Sequence, residues 1–308
     1  MLPAAAFRDS IPPVGEEGIR VAVVGVSGNT GGATARSLLE MSVPVRAVVR
    51  DPAKGEPWAA RGAEIAVADL ADPAALSEAF EGVAAAYVLN PPAYALPDLF
   101  ARAEELARSI AEAARRSRLP RLVVLSSIGA HLRSGTGNIR TNTIFEDTLR
   151  SLPSSLTFLR PAYFMENWAW VAGAAAGQGI LPSFLAPPDR AIPMVSTKDV
   201  GDVAARAMLD PAAADGVIEL EGPADCSPRQ AAAAFARALG RPVDVSVVLE
   251  EDWPGALVAA GFMPRTIAAW VELFRSFNAG AIAFEERMPR RRGRVTIEEA
   301  IGAIVRGA

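Results

Sequence analysis

The residues most suited to chemistry lie early in the chain. Gly25, Gly28 and Gly31 are spaced three apart, with Ser27, Asn29 and Thr30 between them. They separate a short apolar run, Val21 to Val24, from an Ala/Leu-rich segment with helical character. A strand, a tight turn and a helix N-terminus in that order make an anion site. The first N–H groups of a helix are unpaired, its dipole favours negative charge, and glycine lets the backbone come close to a pyrophosphate. The spacing also fits an ordinary turn, so the flanking pattern has to carry the reading.

A second β-branched run, Val43 to Val49, ends in Arg50-Asp51. In a doubly wound sheet this strand end faces the adenosine ribose. An acidic residue there suits the free 2′-hydroxyl of NADH, whereas an arginine pairs with a 2′-phosphate. Arg50 comes first, so NADPH is expected in preference to NADH; the alternative is a solvated strand-end arginine. Further candidates follow the later strands. Asp69 and Leu70 border the adenine, and Asn90 and Pro91 lie beneath the pyrophosphate and the nicotinamide ribose. Ser126 and Ser127 follow the fifth strand, and Pro161, Tyr163, Phe164 and Asn167 follow the sixth. Singly, each is a loop that closes a strand. Together they fall on one edge of the expected sheet, where such folds bind ligands.

The elements needed to position them are legible as alternating segments. Strands are expected at 20–25, 44–49, 64–67, 84–89, 121–126 and 156–160, and helices at 30–41, 53–61, 73–80, 98–117 and 141–151. In 98–117, Leu99, Ala103, Leu106, Ile110 and Ala113 recur at three or four residues, giving one apolar face. This alternation predicts an α/β fold, a doubly wound parallel Rossmann sheet with a smaller C-terminal substrate domain. The expected division is a loose extension over 1–18, a dinucleotide-binding domain over 19–180 with a returning segment near 191–222, and a mainly substrate-binding or lid region over 181–308. Ser196-Thr197-Lys198-Asp199 reads as the start of a capped helix, 227–239 as another helix, and 218–220 and 243–248 as short strands. The run Arg290 to Arg294 reads as a solvated loop before the last helix. Four of the five tryptophans, Trp168, Trp170, Trp253 and Trp270, fall toward the substrate side. They describe either the core of a helical cap or an aromatic-walled pocket for a flat apolar molecule.

Composition narrows the function classes. A net charge of −4 argues against nucleic acid as a partner. No apolar run is long enough for a membrane span, and no secretory leader is evident. Cys226 is the only cysteine, so no internal disulfide forms, and a reducing cytoplasm fits. His131 is the only histidine, which excludes a zinc centre built from histidine and cysteine. The expected partner is a small aromatic molecule, the expected state a monomer or homodimer, and no bound metal is expected.

Four segments then carry a resemblance. Val-Val-Gly-Val-Ser-Gly-Asn-Thr-Gly-Gly, Val-Arg-Asp-Pro, Ala-Asp-Leu and above all Leu-Arg-Pro-Ala-Tyr-Phe-Met-Glu-Asn resemble the NmrA-like, atypical short-chain dehydrogenase/reductase family, over about residues 19–250. The resemblance implies a Rossmann domain, NADP(H) in preference to NAD(H), and either quinone, azo or ketone reduction or redox sensing without chemistry. One departure is decisive. The superfamily's proton relay is Tyr-x-x-x-Lys, in which lysine lowers the tyrosine pKa. The tyrosines here are Tyr87, Tyr94 and Tyr163, the lysines are Lys54 and Lys198, and no pair has that spacing. The expected activity is hydride transfer from NADPH to a quinone, whose reduced oxyanion is a stabilised phenolate, or to a polycyclic aromatic ketone beside a phenolic hydroxyl, whose own hydrogen bond polarises the carbonyl. Ser127 and Asn167 steady an oxygen, while Tyr163 and Phe164 wall the nicotinamide. His131 is expected on the surface of a mobile loop. The alternative is a non-catalytic NADP(H)-binding sensor.

Overall fold

In a computed structural model, residues 19–92, 94–210, 216–286, 288 and 290–307 are described. The expected extension over 1–18 lies outside them. Eight parallel strands form the central sheet: β1 (Val21–Val24), β2 (Val45–Val49), β3 (Glu64–Val67), β4 (Ala85–Leu89), β5 (Arg121–Leu125), β6 (Ser155–Pro161), β10 (Gly216–Glu221) and β12 (Arg290–Arg292). The short strands β7 (Tyr163–Phe164) and β9 (Met194–Val195) pair with each other, as do β8 (Ile180–Ser183) and β11 (Asp244–Val247). The spatial order is β12-β10-β6-β5-β4-β1-β2-β3. The order reverses between β1 and β4, which opens a crevice at the carboxyl ends of the strands. The inner strands are buried on both faces, so they read as continuous Val/Ala/Leu runs and not as alternation.

The helices divide between the two faces. On one, α1 (Asn29–Glu40) packs against α7 (Thr197–Leu209); on the other, α3 (Pro73–Ala79), α4 (Leu99–Arg116) and α5 (Arg140–Leu149) lie side by side. Asp98 caps α4 by accepting from Phe100 N and Ala101 N, and Arg115 and Arg116 oppose the dipole at its other end. The second-half helices α8 (Pro228–Leu239), α9 (Trp253–Ala259) and α10 (Pro264–Ala279) build a cap beside the crevice, and α11 (Ile297–Gly307) packs on α8.

Two expectations change. The helix over 53–61 is interrupted: a 3₁₀ turn spans Pro52–Lys54, and α2 covers only Glu56–Ala59. Two prolines and a glycine within six residues leave no continuous set of helical donors. The arginine run also differs from a loop, because Arg290–Arg292 pairs in parallel with Glu219, Leu220 and Glu221 as the outermost strand. Its side chains stay exposed, and Glu221 binds Arg290 and Arg292 at 3.5 and 2.8 Å. Among the described residues, no helix is long and apolar enough to cross a membrane.

Candidate functional site

The glycine turn sits at the end of β1. Gly25 has φ +72°, a left-handed conformation that few other residues adopt, and its carbonyl accepts from Gly28 N at 2.9 Å. Gly28 begins α1 with no side-chain cap, and no acidic residue lies in the first turn. The free N–H groups and the positive helix end are therefore left for a ligand. Gly31 stands behind the loop and not in it. A Cβ there would lie 2.3 Å from the Gly25 carbonyl oxygen, so this glycine permits close contact between helix and strand.

A cleft of about 570 Å³ opens in front of the turn. It brings together Gly25, Ser27, Gly28, Asn29, Thr30, Arg50, Asp69, Leu70, Asn90, Pro91, Phe164 and Asn167. Asp51, the acidic neighbour of Arg50, is turned to its own backbone, where its carboxylate caps the following turn through Ala53 N at 3.0 Å. Arg50 itself is exposed on the cleft wall. Asp69 Oδ1 accepts from Ala71 N at 2.8 Å. Arg102, on the polar side of α4, also borders the cleft, 3.9 Å from Asp69 and 2.8 Å from Glu105. Helical periodicity alone did not single it out.

Ser126, Ser127, Pro161 and Tyr163 lie around the corner, in a chamber of about 220 Å³ that shares Asn90, Pro91, Pro92, Tyr94, Leu125 and Phe164 with the cleft. Asn138, Thr141 and Asn142 supply its other polar groups. Ser126 donates to Glu146 Oε1 at 2.6 Å. Glu146 is buried and is gripped by Arg160 through Nε at 2.8 Å and a terminal nitrogen at 2.7 Å. Burial alone would push the Glu146 carboxyl up. The hydrogen bonds from Arg160 and Ser126 and the charges of Arg160 and Arg150 outweigh it and hold the group below its ordinary value. Among the described residues, the Ser127 hydroxyl has no such partner.

Tyr163 divides this chamber from a third cavity. Burial pushes its hydroxyl up to about 12, against a hydrogen bond with the Asn167 side chain that pulls it down. A tyrosine relay works by lowering that pKa, and the shift at Tyr163 runs the other way. The third cavity, about 280 Å³, is lined by Tyr94, Trp168, Trp170, Phe184, Phe262, Trp270 and Phe274, among others. Of the aromatic set, Trp253, Phe274 and Phe277 are buried, while Trp170, on the wall of this cavity, is 56% exposed. Tyr94 borders all three cavities. Its ring lies 4.8 Å from Phe262, 5.3 Å from Trp170 and 5.4 Å from Trp270, and its carbonyl accepts from Met263 N at 2.9 Å. It lies in a loop without periodicity, so no sequence signal marked it.

Glu166 was also missed. Its carboxylate takes Ser196 Oγ at 2.7 Å and Thr197 N at 2.9 Å, tying the cleft to the start of α7. His131 is not on the surface as expected. It is half-buried, its Nδ1 lacks a partner, and it lines none of these three cavities. Burial and the charge of Arg160 push its pKa down, against Glu285 and Glu146.

The chain is 28% identical to an NAD(P)H azoreductase of Xenophilus azovorans over 80% of this chain and 83% of that protein. It is 28% identical to quinone oxidoreductase 2 of Escherichia coli (strain K12) over 78% and 82%. Among solved structures, an NADPH-dependent quinone oxidoreductase of Escherichia coli in complex with NADPH matches with a TM-score of 0.72 and 24% identity, over 92% of this chain and 99% of that one. A triphenylmethane reductase of Citrobacter sp. matches with a TM-score of 0.77 and 18% identity, over 94% and 100%. The model of the NmrA-like family matches residues 18–299, and the chain belongs to that family.

Proposed function

We propose that this protein is an NADPH-dependent reductase that passes hydride to an extended aromatic acceptor, a quinone or polycyclic aromatic ketone, without a tyrosine–lysine relay. The observation that carries this reading is that three neighbouring cavities share their walls, with Tyr94 bordering all of them. The cleft in front of the glycine turn shares Asn90, Pro91 and Phe164 with the chamber, and the chamber shares Tyr163 and Trp270 with the aromatic basin. The residues present fit the cofactor. The α1 N-terminus takes the pyrophosphate, Arg50 takes the 2′-phosphate, and Asp69 and Leu70 border the adenine.

The nicotinamide supplies the hydride; the protein supplies position and electrostatics. Phe164 and Pro161 fix the cofactor end of the chamber, and the ring cluster around Tyr94 fixes the plane of the acceptor. Orientation of this kind lowers a barrier by roughly 7–11 kcal/mol in favourable cases. The Ser127 hydroxyl donates to the oxygen that gains charge. A hydroquinone anion is stable enough to take its proton from solvent, and the alkoxide formed from a ketone beside a phenolic hydroxyl takes that hydroxyl's proton, so a dedicated acid is dispensable. The relatives named as azoreductase and quinone oxidoreductase support a nicotinamide-dependent reductase.

The test is NADPH oxidation followed by absorbance with 1,4-naphthoquinone, an anthraquinone and a simple alkyl ketone. Turnover with the aromatic acceptors and none with the alkyl ketone is expected. Tight NADPH binding without turnover of any acceptor would favour the sensor.

A further inference from the structure

We infer a divalent-cation site beneath the Ser126–Ser127 loop, ligated by the His131 imidazole and the carboxylates of Glu219 and Glu285. The three residues come from distant parts of the chain: the loop after β5, the middle of β10 and the segment before β12. Their ligand atoms all lie within 4.8 Å of one another.

Two of these side chains carry an orphaned atom. Glu219 is 0% exposed; its Oε1 accepts from Glu285 N at 2.8 Å, but its Oε2 is buried with no partner. His131 Nδ1 is likewise buried and unpartnered. A buried polar atom left unpaired is costly, and a carboxylate oxygen is more costly than most. With Nδ1 in its unprotonated tautomer, both atoms are acceptors, and a cation would satisfy the two together.

The neighbouring arginine does not provide it. Arg160 spends Nε and one terminal nitrogen on Glu146 and donates its other to Glu285 Oε2 at 2.7 Å. Glu146, Glu219 and Glu285 thus share one buried guanidinium. Arg150 and Arg290 stand at the solvent-facing rim, paired with Glu146 and Glu221 respectively. Glu146 has both Arg160 and Arg150, which leaves the Glu219 oxygen without a cation of its own; burial pushes the Glu219 carboxyl up, and a divalent cation would hold it ionised.

The donor set gives the chemical class. One imidazole nitrogen with carboxylate oxygens suits Zn²⁺, Co²⁺ or Mn²⁺, whereas Ca²⁺ and Mg²⁺ prefer oxygen alone. Zinc bonds of about 2.0–2.2 Å require the donors to draw together by roughly 1 Å. Glu285, with 42% of its side chain exposed, has the freedom to move. The bound ion would be structural. It would tie the loop that carries Ser127 to β10 and to the C-terminal segment, and it takes no part in hydride transfer.

The test uses the full chain stripped with EDTA and titrated with Co²⁺ and Zn²⁺. The site predicts uptake of one equivalent of Co²⁺ with a visible d–d absorption. It also predicts a rise in Tm of about 5 °C at Zn²⁺ well above Kd. Both signals should vanish in Glu219→Gln, which fills the same space, and in His131→Ala. No Co²⁺ uptake by the parent protein overturns the site, as does undiminished uptake in both variants. If neither the parent nor Glu219→Gln takes up metal and the variant is the more stable, a proton on Glu219 fills the gap and the cation is ruled out.

Discussion

Ser126 gives its hydroxyl proton to Glu146 at 2.6 Å, and this bond separates the roles of two adjacent serines. Ser126 is bound to the buried ion pair beneath the chamber, while Ser127 faces the chamber without a protein partner among the described residues. Ser127→Ala should lower kcat for quinone reduction by about tenfold with little change in NADPH affinity, since it removes a donor to developing charge. Ser126→Ala should leave kcat within about threefold and cost about 1.5–3 kcal/mol of stability, the worth of a hydrogen bond to a charged group. Steady-state kinetics and thermal melts of the two variants check the split.

Arg50 gives a cofactor test. Arg50→Ala should weaken NADPH by about 10–100-fold, the range for charge-assisted bonds to a phosphate, and leave NADH nearly unchanged. Equal losses for both cofactors would remove Arg50 from the 2′-phosphate. Fluorescence titration with each nucleotide measures this directly.

Glu146 makes stability depend on pH. Its folded-state pKa is held below the ordinary value of 4.5. Its contribution is therefore complete above that value and is lost as pH falls through the folded-state value. Below about pH 4.5, the Tm of the parent should fall more steeply than that of Glu146→Gln. Near neutrality the variant should be less stable by about 3–5 kcal/mol, because Arg160 is left buried with half its partners gone. Melts across the acid range decide it.

Tyr94 stands where the three cavities meet, so it should set the size of acceptor admitted. Tyr94→Ala joins the chamber to the basin. It should raise kcat/KM for an anthraquinone relative to benzoquinone by about tenfold, as expected for a pocket wall moved by several methylene equivalents. Tyr94→Phe keeps the ring and should keep the ratio.

Much of this was legible in the sequence because the signals were local. The β1–turn–α1 unit needs only an apolar run, a left-handed glycine and a helix, and these lie within twenty residues. Strand ends gave the cleft for the same reason: in a parallel sheet the carboxyl edge follows from chain direction alone. What escaped depends on contacts between distant residues. Arg160 looks like any strand-end arginine until Glu146 and Glu285 arrive from α5 and the C-terminal segment. Arg290–Arg292 has no strand-like pattern because it lies at the sheet edge, with backbone pairing and solvated side chains. His131 seemed exposed because Gly129 precedes it. The structure instead presses Ile282 against Gly129 and turns the imidazole inward.

The central claim is hydride transfer without a tyrosine acid, and one measurement tests it most directly: single-turnover oxidation of bound NADPH by 1,4-naphthoquinone in the parent and in Tyr163→Phe. The account predicts complete loss of the reduced-nicotinamide absorbance in both proteins, with rates within about threefold, since a relay acid would contribute about 10²–10⁴-fold. A rate that collapses in Tyr163→Phe, or NADPH that stays reduced in the parent, would contradict it.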